Sequence, residues 1–109
     1  MSRNIASFLP RRAKTREESW RLRKEEAIER LSAASNDVKM VALSDKLSNI
    51  RAIYRDYQAI GDKVWDLFCV KDAASHEWHF RGLARALSSL KGTFAYAEFI
   101  ETIDKVFAK

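Results

Sequence analysis

Val41-Ala42-Leu43-Ser44-Asp45-Lys46-Leu47-Ser48-Asn49-Ile50-Arg51 is the stretch whose reading decides the fold. It lies in an interval from Asn36 to Gly61 with no Pro and no other Gly, so nothing breaks a helix there. Asn36 suits an N-cap, because its side chain can accept from a free first-turn N–H. Gly61 suits the position just past a helix end, because it takes positive φ without a Cβ penalty. At about 100° per residue, Leu43, Leu47, Ile50, Tyr54 and Tyr57 form one apolar stripe, and Val38, Val41, Ala42 and Ala52 form a second beside it. Ser44, Ser48, Arg51, Arg55 and Gln58 fall opposite and read as solvated. The two stripes predict a central helix with a wide buried face. Asp45 and Asn49 are expected inside that face, one turn apart. An isolated buried charge is expensive, so Asp45 needs a metal ion, a basic side chain or backbone N–H groups. Two readings follow: a structural Asp whose carboxylate is capped or salt-bridged, or an Asp/Asn pair that faces a ligand.

Working outward, Thr15-Arg16-Glu17-Glu18 is a capping box. It opens a helix through Trp20, Leu22, Ala27, Ile28 and Leu31 to about Ala34. Few of its residues are apolar, so it belongs on the outside of a bundle, and its charge run reads as a solvated face. After Gly61, Asp62 is expected to cap a short helix holding Val64, Trp65, Phe68 and Cys69. Asp72 or Ser75 caps the next, which carries Trp78, Phe80, Leu83, Ala84, Leu87 and Leu90 and stops at Gly92. Thr93 caps the last, with Phe94, Ala97, Ile100, Ile103, Val106 and Phe107. No segment sustains β alternation. The expected architecture is all-α, a bundle of four main helices plus one short helix, packed around residues 36–60.

The chain has 109 residues, 47% hydrophobic and 11% aromatic, which favours one folded domain over disorder. Its net charge of +5 is concentrated in residues 1–14, where Arg3, Arg11, Arg12 and Lys14 meet no acid. This basic arm reads as solvated, with Ile5, Phe8 and Leu9 able to dock as one turn, and not as a nucleic-acid-binding segment. Residues 15–109 form the helical domain. No stretch has transmembrane length, and no signal-peptide run follows Arg3, so the expectation is a cytoplasmic protein without a membrane partner. The single Cys69 excludes an internal disulfide and a cysteine-based zinc site, and its apolar neighbours suggest a small core residue. His76 and His79 stand at i,i+3, not at the i,i+4 spacing of the His-Glu-x-x-His zinc motif.

Leu43-Ser44-Asp45-Lys46-Leu47-Ser48-Asn49-Ile50-Arg51 resembles the ADKLxNLR helix of HD-domain phosphohydrolases, in the branch of the (p)ppGpp pyrophosphohydrolases. Trp20, Arg23-Lys24 and Ile28-Glu29-Arg30-Leu31 are similar to the helix that precedes it in that family. Trp65-Asp66-Leu67-Phe68 and Trp78-His79-Phe80-Arg81-Gly82-Leu83 resemble the two blocks that follow, with His79 at a packing position usually held by Tyr. The resemblance covers roughly residues 20–90. It implies that Asp45 is the last ligand of a divalent, manganese-like metal and that Lys46 and Asn49 face the nucleotide or its phosphates. The family's other metal ligands are an upstream His and a His-Asp pair. Here no His precedes Asp45, and no His-Asp dipeptide occurs. The chain therefore resembles the C-terminal half of an HD domain, with no complete catalytic set. The implied function is that of a truncated or incomplete relative of guanosine polyphosphate pyrophosphohydrolases, not active alone. Its implied partners are a nucleotide and either a second copy or a complementing HD-domain half. The alternative is a non-catalytic helical nucleotide-binding or protein-interaction module.

Overall fold

The computed structural model describes residues 15–108, and the basic arm of residues 1–14 lies outside them. The elements are α1 (Arg16–Ser32), α2 (Asn36–Ile60), a 3-10 helix (Gly61–Leu67), α3 (Ala73–Ala86), a 3-10 turn (Ser88–Leu90) and α4 (Phe94–Phe107). The architecture is all-α, with no strand among the described residues. No described helix is long and apolar enough to cross a membrane.

α1 begins where the capping box puts it. The Thr15 hydroxyl accepts the Glu18 N–H at 3.0 Å, and the Glu18 carboxylate accepts the Thr15 N–H at 3.2 Å. No α1 residue is fully buried. The helix lies on α3, where Arg21 stacks its guanidinium 4.0 Å from the Trp78 ring centre. The two helices come closest at Gly82, where an added Cβ would stand 2.8 Å from Ile28 Cδ1.

α2 is capped by Ser35, not Asn36: the Ser35 hydroxyl accepts the Val38 N–H at 3.3 Å. Asn36 is the first helical residue, and its side-chain oxygen accepts from the Ser89 hydroxyl at 2.7 Å, tying the start of α2 to the second 3-10 turn. Gly61 ends the helix at φ +64, the left-handed region where a side chain is strained.

Leu43, Leu47, Ile50 and Ile53 are the buried apolar residues of α2, and Tyr54 and Tyr57 pack half-buried beside them. The second stripe corrects the expectation. Val38 is 53% and Val41 73% exposed, while Ala42 and Ala52 are half-buried. The reason is the position of α1. It packs on α3 and leaves this side of α2 uncovered, while α4 and the 3-10 segments cover the Leu43–Ile53 side. Asp45 and Asn49 are accordingly exposed and do not sit in a buried face.

Three local expectations also change. Residues 61–67 wind as a 3-10 helix with Ile60 at its cap position, so Asp62 caps nothing. Cys69 is exposed, because the loop after the 3-10 helix turns Val70 inward in its place. α3 ends at Ala86, four residues before Leu90, and a 3-10 turn leads to Gly92 at φ +105. Asp72 stands at the α3 cap position, but its carboxylate accepts from the Ser75 hydroxyl at 2.9 Å instead of from backbone. Thr93 caps α4 as expected, accepting the Tyr96 N–H at 3.1 Å.

The core lies where α2, α3 and α4 meet, with Leu43, Ile50, Leu87, Phe99 and Ile103 all fully buried. Ion pairs close its edges. Arg51 donates twice to Glu98, at 2.8 and 2.6 Å, linking α2 to α4 and holding the Glu98 carboxyl below its ordinary range. Arg81 reaches Asp104 at 2.7 Å, linking α3 to α4. Truncating Phe99 to Ala is expected to cost about 3–5 kcal/mol in denaturant unfolding. Val41→Ser is expected to stay within about 0.5 kcal/mol of the parent. A cost for Val41→Ser comparable to that of Phe99→Ala would show that the second stripe is buried.

Candidate functional site

Helical spacing places three sets of side chains around one cavity. Trp20 and Lys24 are one turn apart on α1. Lys46, Asn49, Ile53 and Asp56 follow one another along a single side of α2. His76, His79 and Phe80 do the same on α3. The cavity they line, with Phe68 and Ala52, has a volume of about 390 Å³. It exists because α1 docks on α3 and stands off from α2, which leaves a cleft between α1 and α2 floored by α3.

The cleft is electropositive on one side. Lys24 is half-buried and makes no ion pair with any described residue. Its ammonium is held below its ordinary pKa, chiefly by burial and then by the charges of Lys46 and Arg23. Lys46 keeps only a loose contact with its neighbour Asp45, at 3.7 Å. Among the described residues Asp56 is the one carboxylate that lines the cavity.

The floor is aromatic. Trp20 meets His76 and His79 edge to face at 5.5 and 5.9 Å. His76 stacks on Trp65 at 5.0 Å, and its Nε2 lies 2.7 Å from the Val70 carbonyl, which can only accept, so Nε2 carries the proton. His79 is also buried, consistent with a packing position, and burial followed by the nearby Lys24, Lys46 and His76 pushes its pKa down to about 3.

The structure thus brings Lys46 and Asn49 together in one cavity and leaves Asp45 outside its lining, although Asp45 touches Lys46 at 3.7 Å. Asp45 is 68% exposed and lines a shallow apolar depression with Asp37, Val38, Val41 and Ala42. Its nearest cation is Lys46. Among the described residues no group of three His, Cys, Asp or Glu side chains could hold a metal ion. A lone exposed carboxylate does not fit a hydrolytic metal, which needs several protein ligands and an open position for water. His76 and His79 do not supply them, since His76 is engaged by Val70 and stacked on Trp65.

Of the polar cavity residues, Lys24, Asp56, His76 and His79 carry no site role in the sequence reading. The charge run of α1 reads as solvated throughout, and only the i,i+4 spacing of Trp20 and Lys24 hints that one strip of it turns inward.

No family model, curated protein or solved structure matches this chain in the comparisons with known proteins. The site is therefore read from its own chemistry. Two ammonium groups and an amide converge over an aromatic floor, and Lys24 has no carboxylate partner among the described residues. Such a cleft favours an anion, and a phosphoryl group offers several strong acceptors at once.

His79 makes acid stability a direct probe of the cleft. An unfolded histidine titrates near 6.5. Below that pH the unfolded chain takes up a proton that the folded chain refuses, so the contribution of His79 is present above about pH 6.5 and is lost as pH falls toward about 3. The thermal midpoint of His79→Phe is expected to fall less steeply between pH 7 and 4.5 than that of the parent. Parallel curves would place the imidazole in solvent.

Proposed function

We propose that the protein is an HD phosphohydrolase-like helical domain whose own residues bind the phosphates of a nucleotide. Guanosine polyphosphates are the class that the motif resemblance implies. The observation that carries this reading is the convergence of Lys46 and Asn49 with Lys24 on one cavity. The first two are the residues that the motif resemblance assigns to the nucleotide. Lys24 is not assigned by it and arrives from another helix.

The chemistry of the cleft supports binding. Lys24 and Lys46 repel one another in the free protein, and an anion between them relieves that repulsion while pairing both. Asn49 can donate or accept at the rim, and Trp20, Phe68 and Phe80 offer apolar surface to the rest of a ligand. No hydrolytic step is assigned to these residues, because the donors around Asp45 do not fit a metal ion. The reading is therefore of binding that needs no divalent cation, in a cytoplasmic protein.

Calorimetric titration with guanosine tetraphosphate in the presence of a chelator tests it. Lys24→Met and Lys46→Met are each expected to weaken binding by about 10- to 100-fold, since a hydrogen bond to a charged group is worth ~1.5–3 kcal/mol. Asp45→Asn is expected to leave metal-free binding little changed. Binding that survives both lysine substitutions but disappears with Asp45→Asn would move the site to the other side of α2.

A second reading, a protein-interaction module, is favoured by one feature. Val38 and Val41 lie exposed around the depression at Asp45, and on α4 Phe94 is 96% exposed. Sedimentation velocity over a range of concentrations addresses it. Self-association that Val41→Asp disperses would support this reading, and a monomer at every concentration would remove its homo-oligomeric form.

A further inference from the structure

His79 is a buried polar group without a hydrogen-bond partner among the described residues. The residue is only 8% exposed, yet neither ring nitrogen makes a hydrogen bond to any described residue. Its neighbour on α3, His76, is equally buried but satisfied, through Val70. Burying a polar group without a partner is unfavourable, and the cost is felt in full when the partner never arrives. The ring edges available to a partner belong to the wall of the cavity between α1 and α2.

The charged groups around it define what that partner is. From α1 comes Lys24, with Arg23 behind it, and from α2 come Lys46, the neutral Asn49 and the single carboxylate of Asp56. The loop after the 3-10 helix contributes only the Phe68 ring, and α3 itself contributes His76. Two cations thus face the ring and one anion shares the cavity. A third cationic group, at His79, is unfavourable while that field is positive. An anion seated between Lys24 and Lys46 reverses the field at the ring and offers it an acceptor.

We propose that His79 is a proton-linked phosphate ligand: its imidazole gains a proton together with a phosphoryl anion bound by Lys24 and Lys46, so that acidification tightens binding. This deepens the phosphate-binding reading and rests on it. At neutral pH the ring donates one N–H to the bound group. As pH falls the bound form takes up a proton on the other nitrogen before the free form does. The linkage is thermodynamic. A group that is easier to protonate in the complex makes the complex tighter at low pH.

Sulfate is a suitable probe, because it stays a dianion through the whole range and takes up no proton of its own. The two histidines can be followed by NMR of their ring C–H groups, in sulfate and in chloride at matched ionic strength, with the Asn49 amide as the reporter of occupancy. Saturable sulfate shifts at Asn49 are expected. The titration midpoint of His79 should then rise by about one unit or more in sulfate, the size of effect that an opposite charge at close range produces. His76 should move less. In His79→Gln, which keeps a donor and cannot titrate, sulfate should still bind with an affinity that no longer depends on pH. Saturable binding with an unmoved His79 midpoint, or a His79→Gln variant that keeps the full pH dependence, would overturn the proton linkage and leave the phosphate site standing. Absence of saturable shifts at Asn49 at any pH would overturn both.

Discussion

The contact between α2 and α4 carries the rest of the molecule. Leu43, Leu47, Ile50 and Ile53 lay one side of α2 against Phe99, Ile103 and their neighbours. Each such aliphatic side chain contributes about 1.5–3 kcal/mol on leaving water. α3 joins this core through Phe80, Leu83 and Leu87, and the Arg51–Glu98 and Arg81–Asp104 pairs register the three helices at the surface. α1 contributes no fully buried residue and depends on this platform. It can dock only where α3 offers an aromatic ledge of His76, Trp78 and His79 and a gap at Gly82.

The cleft follows from that dependence. A helix that packs on α3 alone leaves space between itself and α2, and the residues that line the space are those each helix turns sideways. For α2 these are Lys46 and Asn49, and for α1 they are Trp20 and Lys24. The helix pattern that makes Lys24 amphipathic also carries it into a partly desolvated position beside a second lysine. The site is thus a by-product of packing geometry that the lysines make electrostatically distinctive. A neutral pair of residues at the same positions would leave an ordinary groove.

Much of the fold was legible because helix signals are local. The capping box at Thr15, the stop at Gly61 and the cap at Thr93 each act within one turn, so each reads correctly without a partner. The errors arise where a neighbour decides. Asn36 gave up the cap to Ser35 because Ser89 engages its side chain. Cys69 turned outward because Val70 filled the core beneath the loop. Asp45 and Asn49 were expected in a buried face because Val38, Val41, Ala42 and Ala52 are apolar, and periodicity cannot tell a covered stripe from an open one.

The sequence by itself determined that the chain is helical, where most helices begin and end, and that α2 is central. These are consequences of residue spacing and capping, which act within a few residues. Only the tertiary structure decided which second helix faces Lys46 and Asn49, that Lys24 and His79 join them, and that Asp45 stays outside the cavity lining. Those outcomes depend on how α1 packs against α3, a contact between residues up to about sixty positions apart, and local periodicity carries no information about it.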